Sequence, residues 1–455
     1  MHTFPLHPAC PDLLRLAPTR FEALLRAEAE LVEAENHAER DRFETLNREE
    51  EAQQDGRGVT RRTVVTGAAA TVTALATAQF ATVRASFGAT GGGTLIHVFL
   101  YGGLDGLSLI APADDPVLAR ARPDLLLAGD SLAVGRGFQL TSAFAPLARY
   151  LRAGQLGFVP AVSDPRLSRS HFQAADACNL GGLPAETGGR SWLDSLVDAL
   201  GPGTAFRAVG VGSTLPRSLV GTDAALSLTG VGSLGLNGDA RFPAGTEKAI
   251  KGLFTDVNHP VEEAVAEGLA ALGTARQLAA KPYQPAEGVR YEGIGTSFRT
   301  LAQLIKGGAN VRVATVGMGG YDTHENQGTG PGGYLYRRLG ELASALAAFF
   351  DDLGPLAADV TVMVSSEFGR RVAGNRGGTD HGHGGVVAIL SGRRLAGSLL
   401  GRWDGLERLD SGDVPEYNNM FDVYGSVAQG RFGLTDAEVA KVFPRQRYNP
   451  IRLYA

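Results

Sequence analysis

Leu95-Ile96-His97-Val98-Phe99-Leu100-Tyr101 runs directly into Gly102-Gly103-Leu104-Asp105, an apolar stretch closed by a glycine turn and a carboxylate. The arrangement returns three times. Leu156–Val162 leads to Ser168-Arg169-Ser170-His171, and Val311–Val316 leads to Gly319-Gly320-Tyr321-Asp322-Thr323-His324. Val360–Val364 leads to Ser365-Ser366-Glu367-Phe368-Gly369-Arg370, with Asp380-His381-Gly382-His383 close behind. Short apolar runs bounded by turn residues read as strands buried on both faces. Between them, Ala143–Arg152, Val261–Ala279, Ser297–Ile305 and Leu335–Leu353 repeat apolar residues at helical spacing. The alternation predicts an α/β fold with a mostly parallel central sheet flanked by helices. In such a sheet the carboxyl ends of the strands share one edge, where ligand sites are built. Residues far apart in sequence are therefore expected in one cleft.

The helix at Leu335–Leu353 makes a right-handed crossover between the strands that precede Asp322 and Glu367. Val386–Leu390 reads as one more buried strand, and Asn418–Gln429 and Thr435–Val442 as closing helices, the latter capped by Thr435. Residues 204–245 are rich in Gly, Ser and Thr, with β-like runs at Ala208–Val211 and Ala225–Leu228, and read as an insertion forming a lid or rim. The main domain is expected at 89–455.

Of 455 residues, 44% are hydrophobic and 20% charged, which fits a folded globular protein and argues against general disorder. Residues 1–60 hold 13 Asp/Glu against 7 Arg, a balance of −6, so the rest of a chain of net charge −5 stays near +1. No basic stripe stands out, which argues against a nucleic-acid partner. Cys10 and Cys178 are the only cysteines. If the front of the chain is removed, Cys178 has no intrachain disulfide partner.

Residues 1–59 read as a polar, helical N-terminal extension, with Leu13, Leu14, Phe21, Leu24, Leu25 and Leu31 at roughly helical spacing. Either this is a cytoplasmic extension, or translation begins near Val59. Residues 60–88 resemble a twin-arginine export signal: Thr60-Arg61-Arg62-Thr63 opens an uncharged run that lasts to Arg84. The run is rich in Ala and Thr and poor in large apolar residues, so cleavage near Val83-Arg84-Ala85 is expected rather than stable anchoring. The protein is then exported by the twin-arginine machinery to the periplasm or beyond, with no stable membrane anchor.

The chemistry lies in the strand-end clusters. Asp322 and His324 are two apart, so on extended backbone they share a face and can hold one Zn²⁺, Mn²⁺ or Fe ion. His381 and His383 have the same spacing, with Asp380 on the opposite face as a tautomer-fixing group or a ligand to a second ion. Of nine histidines, four lie in these clusters: His171, His324, His381 and His383. Asp105 is a turn residue or a further ligand. Glu367 is a ligand or a base, and Arg370 an anion-binding fork; otherwise the two form an ion pair. Ser170 and Gln173 fit a capping box, yet a serine at a helix N-terminus beside metal ions is also a place for an activated nucleophile.

Gly-Gly-x-Asp-Gly, Ser-Arg-Ser-His-Phe, Gly-Gly-Tyr-Asp-Thr-His, Ser-Glu-Phe-Gly-Arg and Thr-Asp-His-Gly-His-Gly, in this order over about residues 60–450, resemble the bacterial domain-of-unknown-function 1501 family. That family is similar to the alkaline phosphatase and sulfatase superfamily. The resemblance implies an alkaline-phosphatase-like core and two metals, with Asp105 as the early ligand, Ser170 as nucleophile, Asp322 and His324 as the middle set and His383 as the last histidine. Glu367-Phe368 stands where that superfamily has an Asp-His pair, and Asp380-His381 supplies such a pair from a neighbouring loop. The expected metal set is Asp105, Asp322, His324, Asp380, His381 and His383, binding a divalent metal: zinc, or manganese or iron. Ser170, Glu367 and Arg370 are the expected catalytic groups, acting on a small anionic ester of phosphate or sulfate. A non-catalytic exported metal- or anion-binding protein and a metal-dependent transferase or isomerase are the rivals.

Overall fold

Among the described residues, thirteen strands and a set of helices follow the expected alternation. The computed structural model describes residues 92–221, 225–234, 243–254, 260–280, 282–444 and 447–455, all within the unit Val64–Ala455. The 1–59 extension and the 60–88 export segment lie outside them.

The strands are β1 (Thr94–Leu100), β2 (Ile110–Pro112), β3 (Leu132–Gly135), β4 (Phe138–Leu140), β5 (Leu156–Ser163), β6 (Ala208–Val211), β7 (Ala225–Leu228), β8 (Val313–Met318), β9 (Val360–Ser366), β10 (Arg370–Asn375), β11 (Gly378–His381), β12 (Gly385–Ser391) and β13 (Asn418–Asn419). The central sheet has eight strands in the order β13-β5-β12-β9-β1-β8-β6-β7. β1 pairs in parallel with β8 and β9, and β6 in parallel with β7 and β8. β12 alone runs against its neighbours, β5 and β9. The fold is α/β with a mostly parallel sheet, as the apolar runs predicted.

Alternation along the strands explains how both faces are covered. Ile96, Val98 and Leu100 of β1 and Val360, Val362 and Val364 of β9 enter one core, while Leu95, Phe99 and Met363 enter the other. The helices Gly295–Lys306 and Tyr334–Leu353 supply the first core. The second is built with α1 (His171–Leu180), α2 (Trp192–Leu200), α3 (Met420–Phe432) and α4 (Asp436–Val442). Thr435 caps α4 through a reciprocal pair with Glu438.

Two expectations change. Ala208–Val211 and Ala225–Leu228 are not parts of an insertion but the outer parallel strands of the central sheet. Ala143–Arg152 divides into a 3-10 turn over Ser142–Leu147 and a short helix over Ala148–Arg152, with Pro146 where the turns meet.

Parallel orientation sends the ends of β1, β5, β8 and β9 to one edge. β12 is antiparallel, so its beginning reaches that edge too, preceded by the β10–β11 hairpin. Five loops therefore meet there.

Candidate metal centre

Backbone contact brings the first two loops together. Gly102 has φ +116, and a Cβ there would lie 2.3 Å from the amide nitrogen of Asp322. Only glycine allows the β1 loop this close to the β8 loop. Beside it, Gly103 stands where a Cβ would fall 2.2 Å from the ring of Phe368. That buried ring lies 4.9 Å from the His171 ring and 4.8 Å from the His381 ring, packing against both imidazoles.

Asp322 is the hub. Its Oδ1 accepts from Arg370 Nη2 at 2.6 Å and lies 3.0 Å from His324 Nε2 and 3.5 Å from His381 Nε2. Its Oδ2 is 3.3 Å from His171 Nε2, a buried nitrogen with no aligned hydrogen bond. Burial opposes the charge on Asp322, but His171, His381 and Arg370 outweigh it and hold the carboxyl well below its ordinary range. Burial likewise disfavours the imidazolium of His171, yet the Asp322 and Glu367 carboxylates raise its pKa to about 9.

Each imidazole is aimed by a second group. His171 Nδ1 donates to Glu367 Oε1 at 2.7 Å. Glu367, 1% exposed, also accepts from the Gly102 amide at 2.8 Å and has Ser366 Oγ 2.8 Å away. His381 Nδ1 lies 2.9 Å from the carbonyl of Arg169. A carbonyl only accepts, so Nδ1 carries a proton, and Nε2 is the ring atom that faces Asp322 and His324. His324 Nε2 is 2.9 Å from that Nε2, and its Nδ1 is 3.3 Å from Asp380 Oδ1.

These contacts test whether a metal fits. Ligand atoms of His171, Asp322 and His381 lie within 4.8 Å of one another. If His324 donates from Nε2 to His381, a neutral His324 turns its bare Nδ1 toward a carboxylate oxygen. A shared divalent cation relieves that mismatch. Imidazole and carboxylate donors whose outer nitrogens are fixed by Glu367, the Arg169 carbonyl and Asp380 match a zinc, manganese or iron site.

Several sequence-level assignments are revised. Asp105 is not brought to this cluster: it is 1% exposed, and its oxygens accept from Arg122 Nη1 at 2.8 and 3.0 Å, Ser108 Oγ at 2.6 Å and Gln327 Nε2 at 2.7 Å. Arg370 is no anion fork. Its guanidinium donates to the carbonyls of Gly103 at 2.6 Å, Thr379 at 2.7 Å and Gly102, and to Asp322. Glu367 orients His171 rather than facing the cluster. Asp380 borders it through His324 and Asn375.

His383 leaves for Asp410, because β11 ends at His381 and the i, i+2 rule stops there. Gly382 donates to the Gly369 carbonyl at 2.9 Å, and a Cβ on it would lie 2.6 Å from Arg370 backbone. Ser170 sits at the N-cap of α1 without a side-chain capping bond, so the capping box is not formed. His171 was absent from the expected ligand set. Its placement in Ser-Arg-Ser-His beside a strand end was the available signal.

Residues 261–422 match the family described as "Protein of unknown function (DUF1501)". The DUF1501 match contains Asp322, His324, Glu367, Arg370 and His381, while Ser170 and His171 precede it. No curated protein matches the chain in sequence. Among solved structures, the zinc complex of the periplasmic domain of EptC from Escherichia coli is similar at 10% identity and TM-score 0.38, over 79% of this chain and 89% of that one. The PsFucS1 sulfatase of Pseudoalteromonas sp. is similar at 12% identity and TM-score 0.32, over 83% and 73%. The alkaline phosphatase of the Antarctic bacterium TAB5 is similar at 11% identity and TM-score 0.29, over 66% and 92%. Among the described residues, no helix is long and apolar enough to cross a membrane.

Proposed function

We propose that this chain is an exported metal-dependent hydrolase of phosphate or sulfate esters. One observation carries the reading: His171, Asp322 and His381 converge where parallel strands end, and Ser170 lies between Arg169 and His171, both of which touch that cluster. A divalent ion held by these donors supplies Lewis-acid polarisation and neutralises charge on an anionic ester. Ser170 is the nucleophile. Its side chain is not spent on capping α1, and the unpaired N–H groups of the first helical turn favour the negative charge that gathers there. Glu367 and the Arg169 carbonyl keep the two imidazoles aimed, and Arg370 keeps Asp322 in place. The twin-arginine motif at residues 60–88 supports export.

The test is turnover of an aryl phosphate and an aryl sulfate by the purified protein, before and after chelation. The expected result is metal-dependent turnover that falls on the order of 10²-fold or more in Ser170→Ala and Asp322→Asn. Unchanged turnover in Ser170→Ala removes the nucleophile assignment. A protein that holds no metal overturns the reading.

One observation favours a second reading, a non-catalytic metal- or anion-binding protein. Arg370 spends its guanidinium on internal partners, and Asp105 is consumed by Arg122. Stoichiometric metal without turnover of either ester selects that reading.

A further inference from the structure

His383, turned away from the strand-end cluster, meets a second set of carboxylates. Asp410 and Asp413 exchange backbone hydrogen bonds of 3.0 and 2.8 Å across Ser411 and Gly412, whose φ values of 55° and 94° belong to a left-handed two-residue turn. The Gly384 amide donates to the Val414 carbonyl at 2.8 Å, and a Cβ on Gly384 would fall 2.7 Å from that oxygen. This backbone contact seats His383 over the turn. Ligand atoms of His383, Asp410 and Glu416 then lie within 4.8 Å of one another.

Two further observations point to a cation. His383 Nδ1 is buried without an aligned hydrogen bond, 3.6 Å from Asp410 Oδ2 and 4.0 Å from Asp413 Oδ2. Asp413 is 0% exposed, and neither of its oxygens accepts an aligned hydrogen bond, although Arg169 and Arg371 lie against it.

We infer that His383, Asp410 and Glu416 form a second divalent-cation site, separate from the strand-end cluster, for an ion such as manganese or zinc that accepts mixed imidazole and carboxylate donors. Asp413 stands behind the site and passes its constraint to Arg169, whose carbonyl holds His381. The ion thereby ties residues 410–416 to the segment carrying Ser170. The inference does not depend on ester hydrolysis, because its test does not read turnover.

The test is isothermal titration and elemental analysis of the full chain with Mn²⁺ alone and Zn²⁺ alone. Two equivalents are expected in the native protein, with one lost in His383→Ala and one lost in Glu416→Gln. Glu416→Gln, a milder change, covers the case in which His383→Ala fails to fold. Loss of one equivalent in either variant supports the site. Unchanged stoichiometry in both variants, or a native protein that binds neither ion, overturns it, whereas a single native equivalent that the variants lose keeps this site and removes the strand-end one.

Discussion

Asp105 and Arg122 are each nearly inaccessible to water and bonded to one another. Removing one partner of such a pair leaves a buried charge without compensation. Asp105→Asn is therefore expected to cost about 3–5 kcal/mol in denaturant unfolding while leaving metal stoichiometry unchanged. A ligand would show the opposite pattern. Glu367→Gln is expected to keep an acceptor for the Gly102 amide but to lose the charge that aims His171. Metal affinity measured by chelator competition should fall about 10- to 100-fold. At this scale the strand-end positions of Asp322, His324 and His381 were legible in the sequence, whereas the part played by His171 and the departure of Asp105 and His383 were not. Asp105 and Arg370 looked like site groups because of their positions. Asp105 is held by Arg122, and Arg370 by several main-chain carbonyls and Asp322, partners supplied by segments that no local pattern links to them.

Gly102 matters through the loops it joins. A side chain in its left-handed conformation would also strike the Asp322 amide. Gly102→Ala is expected to displace the β8 loop and abolish metal binding by titration, even in preparations that retain normal far-ultraviolet circular dichroism. A second tie lies near the end of the helix Tyr334–Leu353, where Asp352 accepts from Lys306 at 2.8 Å, Tyr283 at 2.5 Å, Tyr291 at 2.7 Å and the Ala286 amide at 2.8 Å. Burial alone would raise the Asp352 pKa, but these donors lower it below its ordinary value. A depressed carboxylate pKa contributes stability that is complete above the unfolded value, about 3.9, and disappears as pH falls through the folded value. Urea unfolding from pH 7 down to pH 3 should show this loss in the native chain. Asp352→Asn should be less stable at pH 7, with the difference narrowing in acid. Helices were legible here from periodicity, since Leu335–Leu353 and Ser297–Ile305 fall within a residue or two of the observed bounds. β6 and β7 were not read as members of the sheet, because short runs beside glycine and serine look like loops until a parallel neighbour pairs with them.

For the whole molecule, a bound metal links site and stability. An ion present at 1,000 times its dissociation constant stabilises the fold by about 4 kcal/mol, so chelation should lower Tm in calorimetry and restoring the metal should recover it. The α/β architecture was legible because strands covered on both faces must be apolar throughout, and those runs stand out in the chain. The reversal of β12 was not, since an apolar run reads the same in either direction. Its place in the sheet has a consequence for biosynthesis. Gly385–Ser391 lies between β5 and β9, two strands that the ribosome has finished earlier. A nascent chain halted before residue 385 already contains His171, Asp322 and His381, but the strand that joins their halves of the sheet has not been made. Such truncated chains should therefore fail to retain metal despite carrying every donor.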